Sequence, residues 1–195
     1  MDEIQLIRNQ LAVQRQHASA VANACARALE PAGTHELAGG PLGEFRQACV
    51  DYLVCVLAWF EERDQRLSDL ARARVASADA ARRTFEEALG RPGRSREALE
   101  KLEKAVAGTR DSSGTAAAHG TQQSWQEFAQ YFNGVWSARR DAIDALLAAA
   151  FGAADWRAVA GIDADSILEE RQRYARVRAA LAPDASLVGL PAAAE

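Results

Sequence analysis

The sequence predicts an all-α protein, an antiparallel up-down four-helix bundle with additional shorter helices. Three observations predict it. Apolar residues recur at three- and four-residue spacing over long stretches, which lines one face of a helix. Sustained alternation of period two, the mark of a half-buried strand, occurs nowhere in the 195 residues. Alanine, leucine, arginine and glutamate, all good helix formers, are abundant.

The first stripe runs Ile4, Ile7, Leu11, Gln14, Ala18, Val21, Cys25 and Ala28, one long helix with a polar residue set in its apolar row. It ends where Pro31, Gly33, Gly39, Gly40 and Pro41 accumulate. Proline removes backbone donors there, and glycine accepts the left-handed conformations that terminate helices. A loop of about ten residues follows. The second helix carries Phe45, Cys49, Tyr52, Val56, Trp59, Phe60, Arg63, Leu67 and Leu70, and its aromatic weight places it at the centre of the core. Neither glycine nor proline lies between Glu44 and Leu89, but Ser77 and Asp79 can each cap a new start, so a break is expected near Val75 to Asp79.

Beyond Gly90, Pro92 and Gly93, a Ser95 cap opens a short helix with Leu99, Leu102 and Val106 on one side. Its outer face pairs Glu97 with Lys101 and Glu100 with Lys104, each pair contributing about 0.2–0.5 kcal/mol. Residues 109–121 have no apolar periodicity and read as a mobile loop. Trp125, Phe128, Phe132, Val135, Ala142 and Leu146 then line another long helix, which stops near Phe151 and Gly152. After a short segment around Trp156 and Gly161, Asp163 or Asp165 caps a last helix bearing Ile167, Tyr174, Val177 and Leu181. Acids lead that helix and Arg173, Arg176 and Arg178 close it, the order that complements the helix dipole. The predicted organisation is one helical-bundle domain over 1–182, with a helical insertion at 72–108, the loop at 109–121, and a flexible C-terminal tail at 183–195.

Composition narrows the function classes. A chain of this length buries roughly 70% of its unfolded surface, so it needs no disulfide or metal staple. The net charge of −4 comes from 27 acids and 23 bases mixed along the chain without a basic block, which argues against a nucleic-acid partner. Met1, Asp2 and Glu3 lack the positive start of a secretory signal, and the best apolar run, Ala48 to Phe60, is too short to span a bilayer and contains Asp51. No membrane association and a cytoplasmic location are expected. Cys25, Cys49 and Cys55 are odd in number and form no C-x-x-C, which fits reduced thiols in a core.

No catalytic motif can be assembled. Glu-x-x-His and H-E-x-x-H are absent, and His17, His35 and His119 lie far apart. Cys25 stands eight residues after His17, about 12 Å along one helix, too far for a direct nucleophile–base pair. Neither catalytic residues nor a metal nor a cofactor is therefore predicted. The unusual feature is polar residues on apolar stripes: Gln14, Arg63, Arg139 and Arg171. Buried charge needs partners, and Glu62, Glu127, Asp141 and Glu170, with the hydroxyls of Tyr52, Tyr131 and Tyr174, are available. The plain reading puts the arginine stems on the core rim with their heads in water. The functional reading is a polar ligand pocket formed by His17, Trp59, Glu62, Arg63, Trp136, Arg139, Asp141 and Tyr174.

The arrangement also resembles the hemerythrin-like (HHE-type) helical bundles, with most metal-ligand positions replaced. The stretch Ile7 to Leu29, with His17 in mid-helix, is similar to that family's first helix, which carries one iron-ligand histidine. The run Leu57-Ala58-Trp59-Phe60-Glu61-Glu62-Arg63-Asp64 resembles the second-helix pattern, with Trp59 and Arg63 in the ligand positions. The segment Trp136 to Asp141 resembles the later His-x4-Asp pattern, again with tryptophan for histidine. The family's di-iron centre needs five histidines and two carboxylates, so at most His17 and Asp141 match. The resemblance implies that an Arg63-centred ion pair fills the former metal space.

Two functions are expected from these readings. The first is a non-enzymatic bundle acting by self-association, as a homo-oligomer, or by binding a protein partner. The second is a hemerythrin-like small-ligand or metal-binding sensor with a degenerate site.

Overall fold

The structure, a computed structural model, describes residues 2–28, 41–74, 123–130 and 151–180, with single positions 83, 97, 100, 103, 104, 120 and 190. These residues are all-helical, and no strand occurs among them. The elements are α1 (Glu3–Ala28), α2 (Pro41–Arg74), α3 (Ala153–Ala160) and α4 (Ala164–Ala179), with a further helical segment at 123–130. The expected break near 75–79, most of the 72–108 insertion, the 109–121 loop apart from Gly120, the helix beyond 130 and the tail, save Leu190, lie outside the described residues.

The first stripe folds as expected, and α1 buries Gln14, His17, Ala18, Val21, Ala22, Ala24 and Cys25. Pro41 departs from expectation. It begins α2 rather than ending the preceding loop, because a first-turn residue has no intrahelical use for the N–H that proline lacks, and proline's fixed φ already suits a helix. Residues 72–74, assigned by sequence to the insertion, belong to the last turn of α2.

α2 packs against α1, α3 and α4, as its two-sided apolar pattern requires. At one end Cys25 of α1 lies beside Cys49 near the start of α2 in the main core. At the other, Ile4, Ile7 and Leu11 pack with Leu67 and Leu70. α1 and α2 therefore run antiparallel. The contacts of Tyr52 with Glu170, Cys55 with Glu169 and the Asp51 carbonyl with Arg173 set α4 antiparallel to α2 in turn.

The main core holds Val21, Phe45, Tyr52, Leu53, Val56, Phe60, Trp125, Phe128, Tyr174 and Val177, with Trp125 and Phe128 edge to face at 6.1 Å. Each such large apolar side chain contributes about 1.5–3 kcal/mol on burial. A smaller cluster of Leu67, Phe151, Trp156 and Val159 seats α3 on the open end of the α1–α2 pair. That seat is polar at its edge. Arg74 grips Asp155 at 2.7 Å, Asp155 accepts from the Gly152 N–H at 3.0 Å, and Arg157 pairs with Glu3 of α1.

A single left-handed residue, Gly161 at φ 53°, ends α3, its N–H donating to the Arg157 carbonyl. Only glycine takes that conformation at little cost. Two residues later Asp163 caps α4: its carboxylate accepts from the Ser166 N–H at 2.7 Å and the Ser166 hydroxyl accepts from the Asp163 N–H at 3.1 Å. This reciprocal cap turns the chain back along α2 and brings Glu170 and Tyr174 into the interior.

Candidate functional site: a buried glutamate between three helices

The polar centre of the fold is Glu170, 1% exposed in the middle of α4. One carboxyl oxygen, Oε1, accepts from the Tyr52 hydroxyl of α2 at 2.7 Å and shares a hydrogen bond of 2.9 Å with Nδ1 of His17 on α1. Hydrogen bonds from α1 and α2 thus converge on one oxygen of α4. Tyr174, one turn after Glu170, lies flat on the imidazole with ring centroids 3.9 Å apart and planes within 5°. Its ring stands 5.8 Å from that of Tyr52, tilted by 53°.

Burial and the neighbouring acid act together on the phenols. Burial, followed by the Glu170 charge, holds the Tyr52 hydroxyl far above the usual tyrosine range, so it stays a donor. Tyr174 is pushed up to about 12, mainly by burial. The second carboxyl oxygen, Oε2, is buried and has no hydrogen-bond partner among the described residues. Such an orphan costs about 1–3 kcal/mol unless something donates to it.

Two further buried polar groups lie beyond it, Gln14 one turn before His17 on α1 and Arg63 three turns after Tyr52 on α2. Gln14 is wholly buried with neither amide atom partnered among the described residues, and Arg63 is 7% exposed. Arg63 donates from Nε to the Ala160 carbonyl at the end of α3, 2.7 Å away, and its guanidinium lies 5.4 Å from the Phe60 ring centroid. Its Nη1 is buried without a partner. Burial lowers its pKa to about 10.

His17 and Tyr174, singled out from the sequence, meet at Glu170. Arg63 is buried, but the described residues give it a backbone carbonyl and an aromatic ring, with no carboxylate within ion-pair distance. Trp59 is half-buried and packs against the main core. Glu62 is exposed and pairs with Arg66 at 3.1 Å, outside the polar centre. Glu127 is exposed and accepts from Gln123. Trp136, Arg139, Asp141 and Tyr131 lie outside the described residues.

Arg171, expected on the apolar stripe, faces solvent, and its neighbour Glu170 takes the inward place. The sequence offers Glu170 and Tyr52 as partners for arginine and does not join them to His17. A signal was present: Glu170 stands three residues after Ile167, four before Tyr174 and seven before Val177, on the same stripe.

The arrangement can hold a proton between Tyr52, His17 and Glu170, and it can present the free Glu170 oxygen to a donor. Among the described residues, no group of three or more histidines, cysteines, aspartates or glutamates could hold a metal ion. The ligand positions implied by the hemerythrin-like resemblance do not fit iron there, since Trp59 offers no ligand and Arg63 is itself a cation. Of the thiols, Cys49 is raised well above its usual range by burial and by Cys25, and Cys55, half-buried and 3.9 Å from Glu169 Oε1, is raised to about 11, first by burial. Burial outweighs the favourable charge of Arg173 on Cys55, so neither thiol is activated as a nucleophile. Among the described residues, no helix is long and apolar enough to cross a membrane. Comparisons with protein-family models, with curated proteins and with solved structures give no match to this chain.

Proposed function

We propose that this chain is a four-helix bundle, completed by the helix that begins at 123–130, which binds a small molecule carrying a protonated amine against Glu170. The observation that carries the reading is the Glu170 carboxyl group, buried, oriented by His17 and Tyr52 through Oε1, and unpartnered at Oε2. A buried acceptor fixed by two hydrogen bonds is pre-organised, so an incoming donor meets little ordering cost. A charge-assisted N–H···O bond of the ammonium type gives the strongest compensation for burying the carboxyl. This reading develops the ligand-binding alternative and leaves a degenerate hemerythrin-like ancestry open as its origin.

Titration calorimetry with ethanolamine, beside the uncharged ethylene glycol, tests the proposal. Saturable binding of ethanolamine at one per chain, absent for ethylene glycol and lost in Glu170→Gln, is expected. Absence of ethanolamine binding in the wild type, or equal binding in Glu170→Gln, would contradict it. Self-association is a separate expectation; Leu6 and Leu168 are the exposed large apolar residues among those described, and the mass in solution decides it.

A further inference from the structure

We infer that Arg63 and Gln14 form a second binding site, one that takes a small oxyanion such as a carboxylate or phosphate. The inference rests on residues separate from Glu170 and stands independently of the amine reading.

Arg63 is a buried cation whose Nε is spent on the Ala160 carbonyl and whose Nη1 has no acceptor among the described residues. The charges acting on it make matters worse. Arg15 and Arg66, of the same sign, act more strongly than Asp64 and Glu62 of the opposite sign. Arg66 lies over the backbone at Gly161, where a Cβ would meet its Nη1, so the end of α3 is crowded by two guanidinium groups. A desolvated, uncompensated charge is among the most costly features a fold can carry. An oxyanion would supply both the missing acceptor and the missing charge, and the planar guanidinium suits one.

Gln14 supplies the independent observation. The antiparallel register, set by Cys25 with Cys49 at one end and by Ile4, Ile7 and Leu11 in one cluster with Leu67 and Leu70 at the other, places Gln14 near the level of Phe60, about one helical turn from Arg63. Arg15, the neighbour of Gln14, acts on Arg63 more than any other charge does, in agreement with that level. Gln14 is wholly buried with both its donor and its acceptor unsatisfied. An amide donor beside a guanidinium donor is the pairing that fixes an oxyanion's orientation as well as its charge. The site therefore selects a compact anion with at least two oxygens over chloride.

The test is a titration followed by the side-chain N–H resonances of Arg63, assigned through their loss in Arg63→Lys. Sodium acetate and sodium phosphate are added separately, with sodium chloride holding ionic strength constant in each. Saturable movement of the Arg63 Nε–H resonance with acetate or phosphate is expected, and which of the two saturates first identifies the ligand chemistry. Gln14→Leu, an apolar replacement of similar size, is expected to fold and to weaken binding about tenfold. No saturable response to either oxyanion, an equal response to chloride, or unchanged affinity in Gln14→Leu overturns the inference. A failed amine titration at Glu170 leaves these outcomes unaffected.

Discussion

Replacing Tyr52 by phenylalanine removes one oxygen and nothing else from the core. The ring, its packing and its tilt toward Tyr174 remain, so the loss reports the hydrogen bond to Glu170. That bond is 2.7 Å long between groups 0% and 1% exposed. Hydrogen bonds to charged partners contribute about 1.5–3 kcal/mol, so Tyr52→Phe is expected to destabilise the fold by about 2 kcal/mol. For a domain of this size each kcal/mol moves the midpoint by about 2–4 °C, so Tm falls by about 4–8 °C. Urea denaturation followed by circular dichroism measures the change, with the slope m unaltered because the surface exposed on unfolding hardly differs. The cycle with Glu170→Gln should show a coupling of at least about 1 kcal/mol.

The same hydroxyl predicts an alkaline limb. Its folded pKa is raised while the unfolded chain ionises near pH ~10, so the unfolded state releases its proton first, and stability falls as pH rises beyond that value. Tyr52→Phe should flatten the limb, leaving the weaker contribution of Tyr174. A loss below about 0.5 kcal/mol, or additive effects of the two substitutions, would refute the contact at the centre of the fold.

Further expectations concern the periphery and the orphaned groups. Cys55 is half-buried with its pKa raised to about 11, so its alkylation by iodoacetamide should rise about tenfold per pH unit from pH ~8 to ~10 while Cys25 and Cys49 stay unmodified in the folded protein. A plateau near pH 9 would contradict it. Gly161→Ala places a Cβ at φ 53° and against Arg66; because that guanidinium is an exposed, flexible end, the cost should be mainly the backbone's, about 1–2 kcal/mol by urea denaturation. An unchanged midpoint would show that α3 does not end in the left-handed conformation. Gln14→Leu removes two unsatisfied polar atoms and should stabilise the unliganded protein by about 1–2 kcal/mol; destabilisation of that size would mean the amide has protein partners.

The long helices were legible because their apolar rows exceed twenty residues and any one irregularity is averaged out. The ends were less so. Pro41 reads as a breaker in a run of glycines and prolines, yet the first turn of a helix tolerates it. At the site, Gln14 and Arg63 stand out as polar residues in apolar rows, and His17 through the hemerythrin-like resemblance. Glu170 did not, because residues three and four beyond Ile167 lie on nearly the same face, and the choice between Glu170 and Arg171 depends on what stands opposite. The Tyr52 hydroxyl and the His17 ring, 118 and 153 positions away, make that choice. No local pattern encodes such a meeting, and Glu62, one of the four carboxylates available to the buried arginines, pairs with Arg66 on its own helix instead.

The most direct test of the polar centre as a ligand site is proton NMR of the exchangeable side-chain resonances. A slowly exchanging downfield signal, lost in Tyr52→Phe, is expected for the hydroxyl bound to Glu170, and it should move saturably as ethanolamine is added. Absence of that signal, or a signal indifferent to ethanolamine at every concentration, would contradict the account.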